Sequence, residues 1–115
     1  MVEHRRAPRR RAEEAIPVVN SITGEVAGHI ANLSIDGMML VCEQPAREDA
    51  LYQFSFELPD ENGQPYRYEI GMHEQWTEQA NVPGQHWVGL RFIDIAPDDM
   101  LQLQGWLERG KHNWI

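Results

Sequence analysis

Two stretches in the middle of the chain alternate apolar with polar side chains. In the first stretch, polar residues separate the apolar side chains of Tyr52, Phe54, Phe56 and Leu58. The second stretch repeats the pattern and continues to about Trp76, with apolar positions at Tyr66, Tyr68, Ile70 and Met72. A period of two places alternate side chains on opposite faces of a strand, so each stretch predicts a half-buried β-strand.

Four shorter apolar runs, at residues 15–20, 26–34, 38–42 and 86–93, predict four more strands. Turn residues separate the runs: Gly24, the Asp36-Gly37 pair, the segment 59–65 and the Pro83-Gly84 pair. The sequence therefore predicts six strands joined by short turns.

The last apolar segment changes to helical spacing, with apolar residues at Met100, Leu103, Trp106 and Leu107. Pro97 suits the first turn of a helix, and Gly110 suits its end. We expect an amphipathic helix that packs on the sheet, with Trp106 in the core. Six strands and one terminal helix make the fold mainly β, either closed as a barrel or packed as two layers.

Residues 1–14 lack apolar periodicity and form a basic arm with Arg5, Arg6, Arg9, Arg10 and Arg11. Only Glu3 opposes these arginines among the first twelve residues. Residues 1–12 therefore carry +4 of the total net charge of −8, and the remainder of the chain carries −12. We expect the arm to lack regular structure without a ligand and residues 15–115 to form the folded domain. The acidic body argues against nucleic acid as the partner, although the arm can hold a compact anion.

The composition limits the setting and the chemistry of the protein. With 115 residues the chain suits one domain, and Cys42 is its single cysteine, which favours a reducing, cytoplasmic location. We expect no membrane span, since no apolar run is long enough, and no metal, since no histidines and cysteines have ligand spacing. Nucleophile, phosphate-loop and paired-carboxylate motifs are missing too, so the sequence predicts a binding protein and not an enzyme.

Three short motifs occur in order along the chain. The arm holds Arg5-Arg6-Ala7-Pro8-Arg9, the end of the second predicted strand holds Asn32-Leu33-Ser34-Ile35-Asp36-Gly37, and the sixth strand holds Trp87-Val88-Gly89-Leu90-Arg91-Phe92. Together they resemble the R-x-x-x-R, [D/N]-x-S-x-x-G and late Gly-x-x-Phe motifs of the PilZ domain family. The resemblance extends over essentially the whole chain.

The resemblance implies a six-stranded antiparallel β-barrel of the PilZ-like split type with a C-terminal α-helix. It also implies a receptor for the second messenger cyclic di-GMP that signals to a partner protein in motility, biofilm, polysaccharide or virulence control. Arg5 and Arg9 take the arginine roles, although Arg6 and Arg10 have the same spacing. The second-motif roles fall to three ligand-binding residues: Asn32, Ser34 and Gly37.

The chemistry of both motifs suits such a ligand. An arginine fork binds phosphate in two places, matches guanine O6 and N7, and stacks on a purine. Asn32 and Ser34, two apart in a strand, would share one face and offer donors and acceptors. Gly37 would allow a positive φ and a close approach to the ligand. Tryptophans such as Trp76 and Trp87 could stack a base.

Two other functions compete with this interpretation. One is a PilZ-like protein-interaction module without nucleotide binding, against which the intact motifs argue. The other is a nucleic-acid binder that works through the basic arm. The same residues also have plain structural explanations, because arginine runs occur as solvated tails and Asn, Ser and Gly favour turns for local reasons.

The arm hypothesis predicts a change in amide hydrogen exchange. Residues 4–12 should exchange fast in the free protein and slowly when cyclic di-GMP is bound, because the arm would become ordered on the ligand. Exchange measured by mass spectrometry with and without the nucleotide tests this. Equal protection in both states would contradict the hypothesis.

Overall fold

A computed structural model describes residues 10–11 and 15–110 of the chain. It contains seven strands and one helix. The strands are β1 (Arg10–Arg11), β2 (Pro17–Asn20), β3 (Val26–Leu33), β4 (Gly37–Cys42), β5 (Leu51–Pro59), β6 (Pro65–Gln79) and β7 (His86–Asp94), and the helix is α1 (Pro97–Arg109). Strands β2 to β7 correspond to the six predicted strands, within two residues at most boundaries, and α1 begins and ends where the sequence predicts.

The six long strands close on themselves. In the order β2-β3-β4-β7-β6-β5 each pairs with the next in antiparallel fashion, and β5 pairs back with β2. The prediction of a six-stranded antiparallel barrel with a C-terminal helix is confirmed. Closure leaves no long unpaired sheet edge and fixes which side of each strand faces the interior.

The β5–β6 hairpin is the most regular part of the barrel. Its pairing runs without interruption from Leu51 opposite His73 to Pro59 opposite Pro65. The turn is held by the Asp60 carboxylate, which accepts hydrogen bonds from the backbone N–H groups of Asn62 and Gln64, both at 2.9 Å. The alternation in the sequence corresponds to burial here: Phe54, Phe56, Leu58, Tyr68, Ile70 and Met72 all lie in the core.

Helix α1 closes one end of the barrel. Its apolar side chains Leu103, Trp106 and Leu107 belong to the same core as the strands, which confirms the expected position of Trp106. Two polar contacts attach the helix to the β5–β6 hairpin. The Tyr66 hydroxyl donates to the Asp99 carboxylate at 2.7 Å, and the Arg109 guanidinium donates to the carbonyl of Pro59 at 3.0 Å.

The two ends of the barrel differ. Because the strands alternate in direction, the β3–β4 and β5–β6 turns lie at the end covered by α1, which we call the helix end. The β2–β3 turn, the β4–β5 loop and the β6–β7 turn lie at the opposite end, which we call the open end. Within residues 10–11 and 15–110, no helix is both long and apolar enough to cross a membrane.

Cys42 lies in the core near the open end, and its burial has a measurable effect. Burial raises the pKa of its thiol from 9.0 to about 11. The thiolate is the reactive form, so this rise in pKa reduces the thiolate fraction at pH 8 by roughly 100-fold.

We therefore expect Cys42 to be alkylated by iodoacetamide at pH 8 at least about 100-fold more slowly in the folded protein than in urea. Between pH 9 and 11 the rate in the folded protein should rise with pH, whereas the rate in urea should level off. Mass spectrometry of timed samples measures both rates. A folded-state rate close to that in urea would contradict the burial of the thiol.

Candidate ligand-binding site

The turn between β3 and β4 carries the second motif and is held by its own polar groups. The Ser34 N–H donates to the Gly37 carbonyl at 2.9 Å, and the Ser34 hydroxyl accepts from the Asp36 N–H at 3.2 Å. That hydroxyl also lies 3.4 Å from the Gly37 carbonyl as a weak donor. The Asp36 carbonyl accepts from the Phe92 N–H at 2.8 Å, which attaches the turn to β7. Ser34 lies in the turn and not in the strand, so one role of its side chain is to shape the turn.

A β-bulge in β3 decides the direction of Asn32. Ile30 pairs with Leu40, but Asn32 pairs with Met39, so Ala31 is an extra residue in β3. Directly paired residues share a face, and Met39 is on the outer face because the adjacent Leu40 is in the core. Simple alternation from Ile30 would have placed Asn32 inside the barrel. The bulge instead turns Asn32 to the outer face.

Asn32 is shielded from solvent although it faces outward. Only 5% of its surface is exposed. Strand β1 pairs beside it, with Arg11 opposite Asn32 and Arg10 opposite Leu33. Polar contacts are stronger where water is excluded, so this amide is well placed to bind a polar ligand group specifically.

The structure requires glycine at position 37 for a different reason from the one predicted. The prediction of a positive φ at Gly37 is wrong, because the described glycines with positive φ are Gly24, Gly63 and Gly84. A Cβ on Gly37 would collide with the backbone carbonyl of Leu90 and would lie 3.2 Å from the Cα of Arg91. The missing side chain lets β4 approach β7 closely, and this packing alone requires glycine.

The outer face continues from the second motif across β4 and β7 to β6. Gly37 pairs with Arg91, and Met39 pairs with Gly89. Gly89 is covered by the indole ring of Trp76, which a Cβ at position 89 would overlap. Trp76 remains 41% exposed, and Arg91 is exposed as well. An aromatic surface and a guanidinium therefore lie beside the motif.

A second bulge sets the position of Trp76. Glu74 pairs with the buried Leu90, whereas Trp76 pairs with Gly89, so Gln75 is an extra residue in β6. Glu74 points inward, where its carboxylate accepts from the Asp49 N–H at 2.8 Å and from the Thr77 hydroxyl at 2.7 Å. Without the bulge, Trp76 would share the inward face with Glu74. The sequence named Trp76 only as one of four tryptophans, and its pattern contains no signal for the bulge.

The structure describes only some of the arginines in the basic arm. Arg5, Arg6 and Arg9 lie outside the described residues. The backbone of Arg10 and Arg11 forms β1, a strand that the sequence did not predict, and it pairs with the end of β3. The arginine run therefore ends beside Asn32. Which pair binds a ligand, Arg5 and Arg9 or Arg6 and Arg10, stays a prediction.

The described part of the chain contains no group of three or more His, Cys, Asp or Glu side chains placed to hold a metal ion. His73 pairs with Arg91 across the strands and contacts the Asp49 carboxylate at 2.6 Å. The site thus offers amide groups, a guanidinium and an indole ring, which suit an anion with flat rings.

Comparison with known proteins agrees with the fold. A sequence model of the PilZ domain matches residues 3–109. The PilZ domain of YcgR from Escherichia coli, solved with c-di-GMP, superimposes with a TM-score of 0.72 at 16% identity, covering 96% of this chain and 93% of that one. The search of curated proteins found no match.

A second solved structure, the Bacillus subtilis inhibitor of motility (MotI/DgrA), has a TM-score of 0.76, also at 16% identity. The alignment covers 96% of this chain but 53% of that protein, so this chain spans about half of its length. At this identity both structures establish the similarity of the fold alone.

The packing of Gly37 predicts opposite effects for two glycine-to-alanine substitutions. Gly37→Ala should destabilise the protein by about 2 kcal/mol or more, because the new methyl group meets backbone that cannot move aside. Gly105→Ala in α1 is the control, since its methyl group meets only the flexible end of Arg109 at 3.2 Å. It should stabilise the protein by about 0.5–1 kcal/mol.

Urea denaturation monitored by tryptophan fluorescence measures both free energies of unfolding. A neutral Gly37→Ala would mean that β4 and β7 do not pack closely, and the requirement for glycine would then have to come from the ligand.

Proposed function

The chain belongs to the PilZ domain family, and on that premise we propose that it is a receptor for cyclic di-GMP. The observation that carries the proposal is the pairing of Arg10 and Arg11 with the end of β3, which brings the end of the arginine run beside Asn32. The E. coli relative that was solved with c-di-GMP has the same fold. The second messenger would bind on the outer face, between the arm and the barrel.

The charges of the ligand match the groups that the chain brings together. Cyclic di-GMP has two phosphates and two guanines, and an arginine fork binds either one in two places. We assign the phosphate and guanine contacts to Arg5 and Arg9, with Arg6 and Arg10 as the alternative pair. Arg91 adds an exposed cation on the same face.

The bulge in β3 gives Asn32 a defined part in the proposal. Its amide faces outward in a shielded position, where it would bind a base edge or a phosphate oxygen. Ser34 and Gly37 are proposed as ligand contacts too. Both also shape the site, because the Ser34 side chain holds the turn and the missing side chain of Gly37 lets β4 pack against β7. Trp76 would contribute a flat apolar surface for one guanine, since its ring is exposed and fixed above Gly89.

Binding would change the surface that a partner protein encounters. The first twelve residues carry +4 and the remainder of the chain −12, so an arm closed over an anionic ligand would alter both shape and charge near the β3–β4 turn. We propose a binding module that signals through a protein partner, in the cytoplasm and without catalysis of its own. The chemistry of the site does not identify that partner.

Isothermal titration with cyclic di-GMP tests the proposal. The protein should bind, and Arg9→Ala or Arg5→Ala should weaken binding by about 2–4 kcal/mol, or roughly 30-fold to 1,000-fold. Arg67→Ala is a matched control, because Arg67 is exposed on β6 and contacts only Glu69, at 3.6 Å, among the ion pairs described. It should leave the affinity unchanged.

Selectivity provides a second readout in the same experiment. Adenine presents an N6 donor where guanine presents the O6 acceptor, so cyclic di-AMP should bind at least about tenfold more weakly. GMP should also bind poorly, because it cannot engage both arginines and both bases. If only Arg6→Ala and Arg10→Ala weaken binding, the alternative pair holds the ligand and the receptor assignment stands. Wild-type affinity in all four arginine variants, or equal competition by cyclic di-AMP, would reject the assignment. No binding at all would favour the interaction module.

A further inference from the structure

A cavity of about 280 Å³ opens at the open end of the barrel, opposite helix α1. Its floor consists of buried core side chains: Leu40, Cys42, Phe54, Val88 and Leu90. Its volume is nearly twice the roughly 150 Å³ of an engineered apolar cavity that binds benzene. Protein cores are close-packed and rarely contain voids larger than a water molecule, so a cavity of this size in a small domain has room for a ligand.

The cavity changes character from its floor to its rim. The walls above the floor include Tyr52, whose ring stacks on Phe54 with centroids 4.9 Å apart. The polar residues of the rim are Asn20, Thr23, Glu25 and Gln44, at the β2–β3 turn and in the β4–β5 loop, and the apolar Val26, Pro45 and Ala46 complete it. A site with an apolar floor and polar groups at its rim suits a molecule with an apolar body and one polar end.

The charge at the rim narrows the class of ligand. Glu25 is exposed there, and no lysine or arginine occurs among the described residues that line the cavity. A carboxylate or phosphate head would meet repulsion from Glu25 with no cation in the lining to compensate for it. A hydroxyl or ammonium head would be accepted, the ammonium with additional attraction.

We propose that this cavity is a second ligand site, for a small amphiphile with an aliphatic body and an uncharged or cationic head. By comparison with the benzene cavity, its volume accommodates about ten non-hydrogen atoms. The site is independent of the proposed cyclic di-GMP site, because its lining includes none of Asn32, Ser34, Gly37 or Trp76. The β3–β4 turn of that site lies at the other end of the barrel.

Three probes with the same alkyl chain separate the contribution of the head group: octylamine, 1-octanol and octanoate. Each is titrated below its micelle concentration into the ¹⁵N-labelled full chain, and the amide shifts are followed by NMR. We expect saturable shifts at Leu40, Cys42, Val88 and Leu90 with the amine and the alcohol. Octanoate should bind at least fivefold more weakly than octylamine.

Three variants test whether binding occurs in this cavity and whether Glu25 selects the head group. Ala46 lines the cavity in the β4–β5 loop, so Ala46→Trp should fill the mouth and reduce the affinity for octanol at least tenfold. Ala80→Trp places the same ring in the β6–β7 turn, at the same end of the barrel but outside the lining, and should bind like the wild type. Glu25→Gln should remove the difference between octylamine and octanoate and leave octanol binding unchanged.

Failure of all three probes to shift the floor residues would overturn the proposal. Shifts that persist in Ala46→Trp, while its spectrum shows an intact fold, would place binding elsewhere and overturn it as well. Equal affinity for octanoate and octylamine in the wild type would reject the assigned class of head group. None of these outcomes depends on cyclic di-GMP, so the receptor proposal is tested separately.

Discussion

Closure of the six-stranded sheet is the constraint on which the remaining structure depends. Once every long strand pairs on both sides, the inward or outward direction of each side chain is fixed by its partners. Two extra residues, Ala31 and Gln75, change that direction locally. They leave Ile30 and Glu74 facing inward and turn Asn32 and Trp76 outward. Two residues of the candidate site, Asn32 and Trp76, are therefore positioned by interruptions of a regular barrel.

The sequence predicted the regular parts well, and the physical reason is the strength of the pattern. Strands β5 and β6 alternate over many residues, and α1 has an apolar face with Leu103 and Trp106, so local spacing and tertiary packing agree. A bulge leaves no such signal in the sequence. One extra residue changes the face on which the following side chains lie, without changing the composition of the strand. From alternation alone, Asn32 would have been placed beside Ile30 in the core.

Two other features depend on contacts between distant segments, so local sequence patterns could not predict them. Strand β1 forms from Arg10 and Arg11, whose composition indicates a solvated tail, because the end of β3 offers a backbone to pair with. Gly37 was expected to serve backbone flexibility, but its neighbour Leu90 belongs to a strand more than fifty residues away. The cavity at the open end likewise arises from the meeting of five strands and cannot be inferred from any one of them.

The structural role of the β3–β4 turn affects how the motif should be used on other sequences. Ser34 closes the turn, and the missing side chain of Gly37 lets β4 pack closely against β7. Both residues would therefore be selected for folding even in a chain that binds no ligand. In a survey of related chains, the serine and glycine would therefore identify the architecture, and under the proposed function the arginines together with an outward asparagine would be the markers to examine for nucleotide recognition.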